Sequence, residues 1–91
     1  MDVQHLTDES RFVLDVNGNE AELLYREVDN HTLDFSHTFV PPALRGGGAG
    51  GKVVRAALDY ARENGYRVRP SCSFVAAFVR RHPEYQEIVT Q

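Results

Sequence analysis

The stretch from Val40 to Ala61 (VPPALRGGGAGGKVVRAALDYA) limits what this chain can fold into more than any other part of the sequence. Six of the seven residues from Gly46 to Lys52 are glycine or alanine. Such a run buries little surface and loses much backbone entropy on folding, so it adds little to stability. It does leave unobstructed backbone N–H groups in front of an amphipathic helix, where a phosphate group binds well. The alternative, a flexible loop without a ligand, is disfavoured because a helix pattern follows directly.

Three phosphate-binding patterns compete for this loop. The GxGxxG spacing from Gly46 to Gly51 is typical of dinucleotide-binding folds, but residues 64–83 contain no Asp or Glu for the ribose. The GxxxxGK spacing is also present, but Val53 stands where a nucleotide triphosphatase needs a hydroxyl for magnesium. The third pattern, Arg-x-x-Gly-x-Gly beginning at Arg45, fits without a missing part.

The residues before the loop predict an antiparallel meander. Alternating apolar residues indicate strands over Arg11–Val16 and Glu20–Val28, joined by a tight turn at Asn17-Gly18. A third strand is predicted over His31–Val40. Simple alternation places one set of its side chains on a common face: Leu33, Phe35, His37 and Phe39. Residues 1–10 are polar and predicted to be irregular.

The residues after the loop predict a helix, a strand and a second helix. The first helix covers about Gly50–Asn64, with a narrow apolar stripe of Val54, Ala57, Leu58 and Ala61. A fourth strand over Tyr66–Pro70 is expected to run parallel to the third. The second helix ends near Arg81, with Ser71 or Ser73 as its N-terminal cap. The last eight residues, from Glu84, have no clear pattern.

Length and composition set the remaining limits. Ninety-one residues allow one domain, residues 1–91, with 42% hydrophobic and 25% charged residues as in ordinary globular proteins. The net charge of −3 gives no reason to expect nucleic acid as a partner. No apolar run is long enough to span a membrane, and MDVQHLTDES is too polar for a signal peptide. One cysteine and four scattered histidines predict neither a disulfide framework nor a metal site, and suit the reducing cytoplasm.

The loop and the order of elements together resemble the GNAT superfamily of N-acetyltransferases. The pattern at Arg45, Gly48 and Gly50 is similar to the acetyl-CoA pyrophosphate loop of that superfamily. The segment Pro70–Ser73 (PSCS) also recurs in a minimal branch of it. The resemblance covers about residues 11–85, but lacks the usual helices between the first two strands and most of the C-terminal hairpin. It implies an α+β, GNAT-like mixed sheet: an antiparallel meander plus one parallel strand, with two principal helices.

The resemblance also implies acetyl-CoA (CoA) as the cofactor, bound where the third and fourth strands part. The residues it assigns to cofactor binding are Thr38, Phe39, Val40, Arg45, Gly46, Gly47, Gly48, Ala49, Gly50 and Lys52. Two of these assignments have alternatives in which the residues have no role in binding. The edge from Thr38 to Val40 can serve in plain sheet pairing, and Lys52 can be a solvated lysine on a first helical turn.

Cys72 and His37 are the candidate catalytic residues. Cys72 lies between the fourth strand and a helix N-terminus, a position that favours the reactive thiolate, so one hypothesis is that it accepts the acetyl group and passes it on. The alternative is a small buried hydrophobic residue. An imidazole is a common catalytic base, so His37 is either such a base or a structural residue between Phe35 and Phe39. The other histidines, His5, His31 and His82, are interpreted as surface residues.

The resemblance implies an acetyl-CoA-dependent N-acetyltransferase acting on a small amine or a peptide lysine, with Cys72 as a possible route for the acetyl group. The second hypothesis is a non-catalytic acyl-CoA-binding or sensing module, which would explain the missing acceptor-binding parts. A monomer or a weak homodimer is expected, because a dimer can cover an exposed sheet edge. The sequence does not identify the acceptor.

Overall fold

The computed structural model of the protein describes residues 2–90, so Met1 and Gln91 of the predicted domain lie outside the described residues. The strands and helices are β1 (Gln4–Leu6), β2 (Arg11–Val16), β3 (Asn19–Asp29), β4 (Thr32–Phe39), α1 (Ala49–Glu63), β5 (Arg67–Arg69) and α2 (Ser73–Arg81). The strands form one five-stranded sheet in chain order. Among the strands of the described residues, β4 and β5 are the parallel pair and the other neighbours are antiparallel. An isolated parallel bridge also joins Val68 of β5 to Val89. This confirms the α+β mixed sheet with two principal helices.

The β2–β3 hairpin forms where the Asn-Gly pair predicts it. Asn17 and Gly18 have positive φ angles of 54° and 86°, as the tightest hairpin turn requires. The Gly18 N–H donates to the Asp15 carboxylate at 2.9 Å, and the flanking residues Val16 and Asn19 pair directly. The turn therefore fixes the register of the two central strands.

Both helices pack on one face of the sheet and enclose a single core. Helix α1 buries the side chains of Val54, Ala57, Leu58 and Ala61 against β2 and β3, which confirms the predicted apolar stripe. Helix α2 packs beside α1 and adds Val75, Phe78 and Val79 to the same core. Cys72 is the N-cap residue of α2 and no side chain caps the helix, so the expected serine cap is wrong. No helix among the described residues is long and apolar enough to cross a membrane.

The N-terminal segment is ordered, contrary to the sequence-based prediction. Strand β1 pairs antiparallel with β2, and a short 3-10 helix follows over Thr7–Glu9. His5, interpreted above as a surface residue, stacks on Phe12 with ring centroids 4.0 Å apart and hydrogen-bonds the Tyr25 hydroxyl at 2.7 Å. A strand of three residues is too short for alternation to reveal it.

A β-bulge lies in β4, and beyond it the side chains face the opposite side of the sheet from the one predicted by simple alternation. That part of the prediction is wrong. Tyr25 pairs with Phe35, but its neighbour Leu24 pairs with His37, so Ser36 is an extra residue in the strand. Because one added residue reverses which side chains face the helices, Thr38 turns toward them. His37 and Phe39 turn to the opposite face, where both are exposed.

Candidate functional site

The site begins where β4 and β5 part. The two strands pair only over Thr32–Asp34 and Arg67–Arg69, and the Cys72 N–H then donates to the Phe35 carbonyl at 3.0 Å. From Ser36 onward, no strand among residues 2–90 lies beside β4 on this edge. The free edge of β4 therefore faces a cleft, bounded on its other side by the start of α2.

A groove of about 390 Å³ occupies this cleft and continues along the glycine loop. It is lined by Thr38, Phe39, Val40, Leu44, Arg45, Gly46, Gly48, Ala49, Gly50, Gly51 and Phe74. Eight of the ten residues predicted to bind the cofactor are therefore brought together. Gly47 and Lys52 line a separate cavity on another side of the loop. Leu44, Gly51 and Phe74 were not assigned to the groove from the sequence. Phe74 lies on α2, and no sequence pattern indicates that this helix approaches the glycine loop.

The loop presents backbone N–H groups that the helix does not use. Gly48, in left-handed conformation with a φ of 84°, is the N-cap of α1 and offers no side chain to cap it. The first helical hydrogen bond runs from the Lys52 N–H to the Gly48 carbonyl at 3.1 Å. The amides of Ala49, Gly50 and Gly51 precede it and point toward the N-terminal end, where the helix dipole favours an anion.

Gly50 is required by close packing across the groove. A Cβ atom at this position would lie 2.8 Å from Phe74 Cζ and 2.9 Å from Val40 Cγ2. Such distances are shorter than van der Waals contact, so a larger residue must displace a groove wall. Gly46 and Gly48 have open space around them, and their positive φ angles of 86° and 84° explain the choice of glycine there.

Arg45 ties the loop to the end of the third predicted strand. Its Nε donates to the Val40 carbonyl at 3.0 Å. The bond spans the turn that Pro41 and the 3-10 segment Pro42–Leu44 introduce. It fixes where the glycine amides lie relative to the free edge of β4.

Cys72 lies beside the groove with a lowered thiol pKa. Its Sγ is 3.5 Å from the Thr38 Oγ1, and the residue is half-buried. Burial alone would raise the pKa of the thiol, but hydrogen bonding by Thr38 and by the amides of Val75 and Phe74 outweighs it and lowers the pKa. The arrangement favours the thiolate, which is the nucleophilic form.

His37 lies on the other face of the sheet from Cys72. The bulge at Ser36 turns it away from the helices, and its side chain is exposed. In the part of the chain that the structure describes, no side-chain hydrogen bond involves His37. Its role as a base therefore stays a prediction, and applies to a reactant on the open face of the sheet.

Asp34 lies where β4 and β5 part, on the sheet face opposite the helices. It is only 4% exposed, and its Oδ2 accepts a hydrogen bond from Arg26 Nη2 at 3.1 Å. Burial would raise the pKa of Asp34, but the nearby Ser71 hydroxyl, the hydrogen bond from Arg26 and the charge of Arg69 lower it. Among the described residues, the Asp34 Oδ1 has no hydrogen-bond partner, so the contact with Arg26 is the one that joins β4 to β3 where the strands part.

Residues 2–90 contain no group of three or more side chains arranged to hold a metal ion. The groove itself offers backbone amides and the hydroxyl of Thr38, with the Cys72 thiol beside it. A backbone-lined anion site next to a nucleophilic thiol suits a ligand that carries both phosphates and an electrophilic carbon.

Comparisons with known proteins agree with this geometry. A sequence model of the family described as GCN5-related N-acetyl-transferase matches residues 11–88. Protein NATD1 of Bos taurus is 35% identical over 83 residues, covering 89% of this chain and 74% of that protein. Protein NATD1 of Danio rerio is 34% identical over 89 residues, covering 93% and 81%. The NMR solution structure of a GCN5-like protein from Staphylococcus aureus is similar with a TM-score of 0.77 and 33% identity, covering 98% of this chain and 87% of that one.

Proposed function

The chain belongs to the GCN5-related N-acetyltransferase family, and we propose that it transfers the acetyl group of acetyl-CoA to an amine. The acceptor is a small amine or the side chain of a peptide lysine. The observation that carries the proposal is the groove, because it joins a row of free loop amides to a thiol at the parting of two strands. An anion site in the groove with a nucleophile beside it suits a diphosphate joined by a flexible arm to a thioester.

The diphosphate and the pantetheine arm of acetyl-CoA each have a matching part of the groove. The diphosphate would accept hydrogen bonds from the free amides of Ala49, Gly50 and Gly51. The pantetheine arm would lie along the free edge of β4 from Thr38 to Val40, pairing as an added strand does. Phe74, which is 40% exposed, offers an apolar surface on the opposite wall.

Cys72 acts in this proposal as the first acetyl acceptor. Its thiolate attacks the carbonyl carbon of the thioester, the bond from that carbon to the CoA sulfur breaks, and CoA leaves as a thiolate that takes up a proton. The acceptor amine then attacks the S-acetyl group. An amide forms, the amine loses a proton, and the Cys72 thiol is restored. The lowered pKa of Cys72 supports the first step, since more of the thiol is ionised at neutral pH.

The acceptor approaches from the sheet face opposite the helices. That face carries the exposed His37, which serves as the base that removes a proton from the acceptor ammonium. The groove on the helix side is then left to the cofactor, and the two reactants meet in the gap between β4 and α2.

Calorimetry and a thiol-release assay test the proposal together. We expect acetyl-CoA and CoA to bind, with ATP and NAD binding far more weakly, because neither carries a pantetheine arm. Free thiol should then appear faster than by buffer hydrolysis once an amine from a panel is added. Binding without turnover across the panel would support the alternative acyl-CoA sensing function, and equal affinity for ATP would contradict the cofactor assignment.

Mass spectrometry tests the covalent step separately. Under single-turnover conditions without acceptor, we expect one acetyl group on the peptide that contains Cys72. Because Cys72 is the only cysteine, a thioester has a single possible location. Turnover with no acetyl on that peptide would contradict the two-step route and favour direct attack by the amine.

A further inference from the structure

A second cavity lies on another side of the glycine loop from the groove. It has a volume of about 200 Å³ and is lined by Leu14, Val16, Ala43, Leu44, Arg45, Gly47, Ala49 and Lys52. The loop segment that carries Leu44, Arg45 and Ala49 forms a wall shared with the groove. The cavity is below the usual range of drug-sized pockets, so only a small molecule fits it.

The lining of this cavity combines an aliphatic interior with two cations. Leu14, Val16, Leu44 and two alanines supply the interior. The charged residues of the lining are Arg45 and Lys52, both exposed, and no Asp or Glu belongs to it. Among the described residues, the ion pairs found do not involve Arg45 or Lys52.

The hydrogen-bonding capacity of these cations is largely unused. The side-chain bond found for Arg45 runs from its Nε to the Val40 carbonyl, which leaves the two terminal nitrogens of the guanidinium to bind an anion. The Lys52 ammonium can donate up to about three hydrogen bonds. A carboxylate between these two groups would gain charge-assisted hydrogen bonds while its chain displaced water from the aliphatic interior.

We propose that this cavity binds a short-chain aliphatic monocarboxylate, with the carboxylate between Arg45 and Lys52 and the chain against Leu14 and Val16. The charge of the rim excludes an amine as the ligand. The aliphatic interior favours a carboxylate with a hydrocarbon chain over a bare inorganic anion. The site does not depend on acetyl transfer, because Leu14, Val16 and Lys52 do not line the groove that the proposed reaction uses.

NMR titration of the full chain with hexanoate tests this inference. Lys52 is the only lysine, so reductive methylation with ¹³C-formaldehyde labels a single side chain, which lies in the cavity. The α-amino group of the chain is labelled as well. We expect saturable shifts of the Lys52 methyl signal and of the backbone amides of Val16 and Gly47. Hexylamine, hexanol and inorganic phosphate at the same concentrations should bind at least about tenfold more weakly.

Two variants and one control separate the contributions. Lys52→Gln should weaken hexanoate binding about tenfold, since it removes one charged hydrogen-bond donor. Ala43→Leu should abolish binding by filling the cavity from an exposed position, with little effect on folding. Arg80→Gln removes an equal charge from the exposed end of α2 and should leave the affinity unchanged.

The inference is overturned if hexanol binds as tightly as hexanoate, because the carboxylate would then contribute nothing to binding. It is overturned equally if phosphate does, because the hydrocarbon chain would then contribute nothing. It is also overturned if hexanoate shifts only groove residues such as Thr38 and Phe74, or if Ala43→Leu leaves binding intact. None of these outcomes bears on acetyl-CoA binding, so they leave the proposed function standing.

Discussion

At the scale of single residues, the chemistry of the groove depends on the contact between Cys72 and Thr38. These residues are far apart in sequence, and their side chains meet at 3.5 Å because the extra residue Ser36 turns Thr38 toward the helices. The hydroxyl is close enough to donate to the sulfur when the thiol is ionised. Thr38 therefore takes part in setting the charge of the Cys72 thiol, in addition to lining the groove.

Thr38→Val should raise the pKa of Cys72, because it removes the hydroxyl while keeping a similar shape. Alkylation by iodoacetamide at pH 7 should slow about fivefold, and Thr38→Ser should retain most of the original rate. The rate measured against pH reports Cys72 alone, since the chain has one cysteine. Identical pH profiles for the valine and serine variants would show that the hydroxyl has no such role.

Asp34→Asn should destabilise the fold in a pH-dependent way. Hydrogen bonds lower the pKa of Asp34 in the folded state, so its charge contributes stability above the unfolded pKa of about 4. That stability is lost as pH falls through the lower folded pKa. We expect the variant to lose about 1–2 kcal/mol in urea unfolding at pH 7, and the difference to shrink toward pH 2. A difference that grows on acidification would contradict the sign.

At the scale of elements, the first turn of α1 combines two neighbouring glycines with different constraints. Gly50 is pressed between Phe74 and Val40, whereas a Cβ at Gly51 would lie 3.6 Å from Phe78 Cε2, an ordinary contact. Both residues line the groove. They form a natural matched pair, since alanine at either position keeps the helix and changes one methyl group.

Gly50→Ala should weaken acetyl-CoA binding about tenfold and lower the free energy of unfolding by about 1–2 kcal/mol, because Phe74 or Val40 must move. Gly51→Ala should raise the free energy of unfolding by about 0.5 kcal/mol through helix propensity and leave affinity within about twofold. Calorimetry and urea unfolding measure both quantities. Equal effects at the two positions would mean that the packing at Gly50 is not special.

The sequence predicted those elements whose signal is local. Asn17-Gly18 marked the hairpin, and the spacing of Val54, Ala57, Leu58 and Ala61 marked α1 to within one residue at each end. The bulge at Ser36 could not be predicted, because its cause is the pairing of β4 with β3 rather than its own composition. The glycine loop was predicted at its correct position before α1. The sheet faces of His37, Thr38 and Phe39 were not, because they depend on the pairing of β4 with β3.

At the scale of the whole molecule, the C-terminal segment completes the core. Tyr85 belongs to the last eight residues, which show no clear sequence pattern, but it is 1% exposed. Its hydroxyl donates to Asp59 at 2.6 Å and accepts from Arg55 at 3.0 Å, both on α1. The Thr90 N–H then donates to the Val68 carbonyl at 2.8 Å, so the tail covers the last strand. These contacts join distant segments, which no local pattern reveals.

Tyr85→Phe should lower the free energy of unfolding by about 1 kcal/mol, because a buried hydroxyl with two partners is lost. For a domain of this size, that corresponds to a fall in Tm of about 4–8 °C. Tyr66→Phe is the control, since the hydrogen bonds found among the described residues do not use the Tyr66 hydroxyl, and its Tm should change by less than about 2 °C. Equal shifts in the two variants would refute a special role for the Tyr85 hydroxyl.

The chain-order arrangement of the sheet has a kinetic consequence. Strands β1 to β4 can pair one after another as antiparallel neighbours, and each pairing closes only a short loop. Strand β5 pairs in parallel with β4, so it can dock only after the intervening helix has formed. The gap beside β4 exists only after that last docking step. A ligand of the gap therefore recognises the finished molecule and none of its partly assembled precursors, so it should slow unfolding without accelerating refolding.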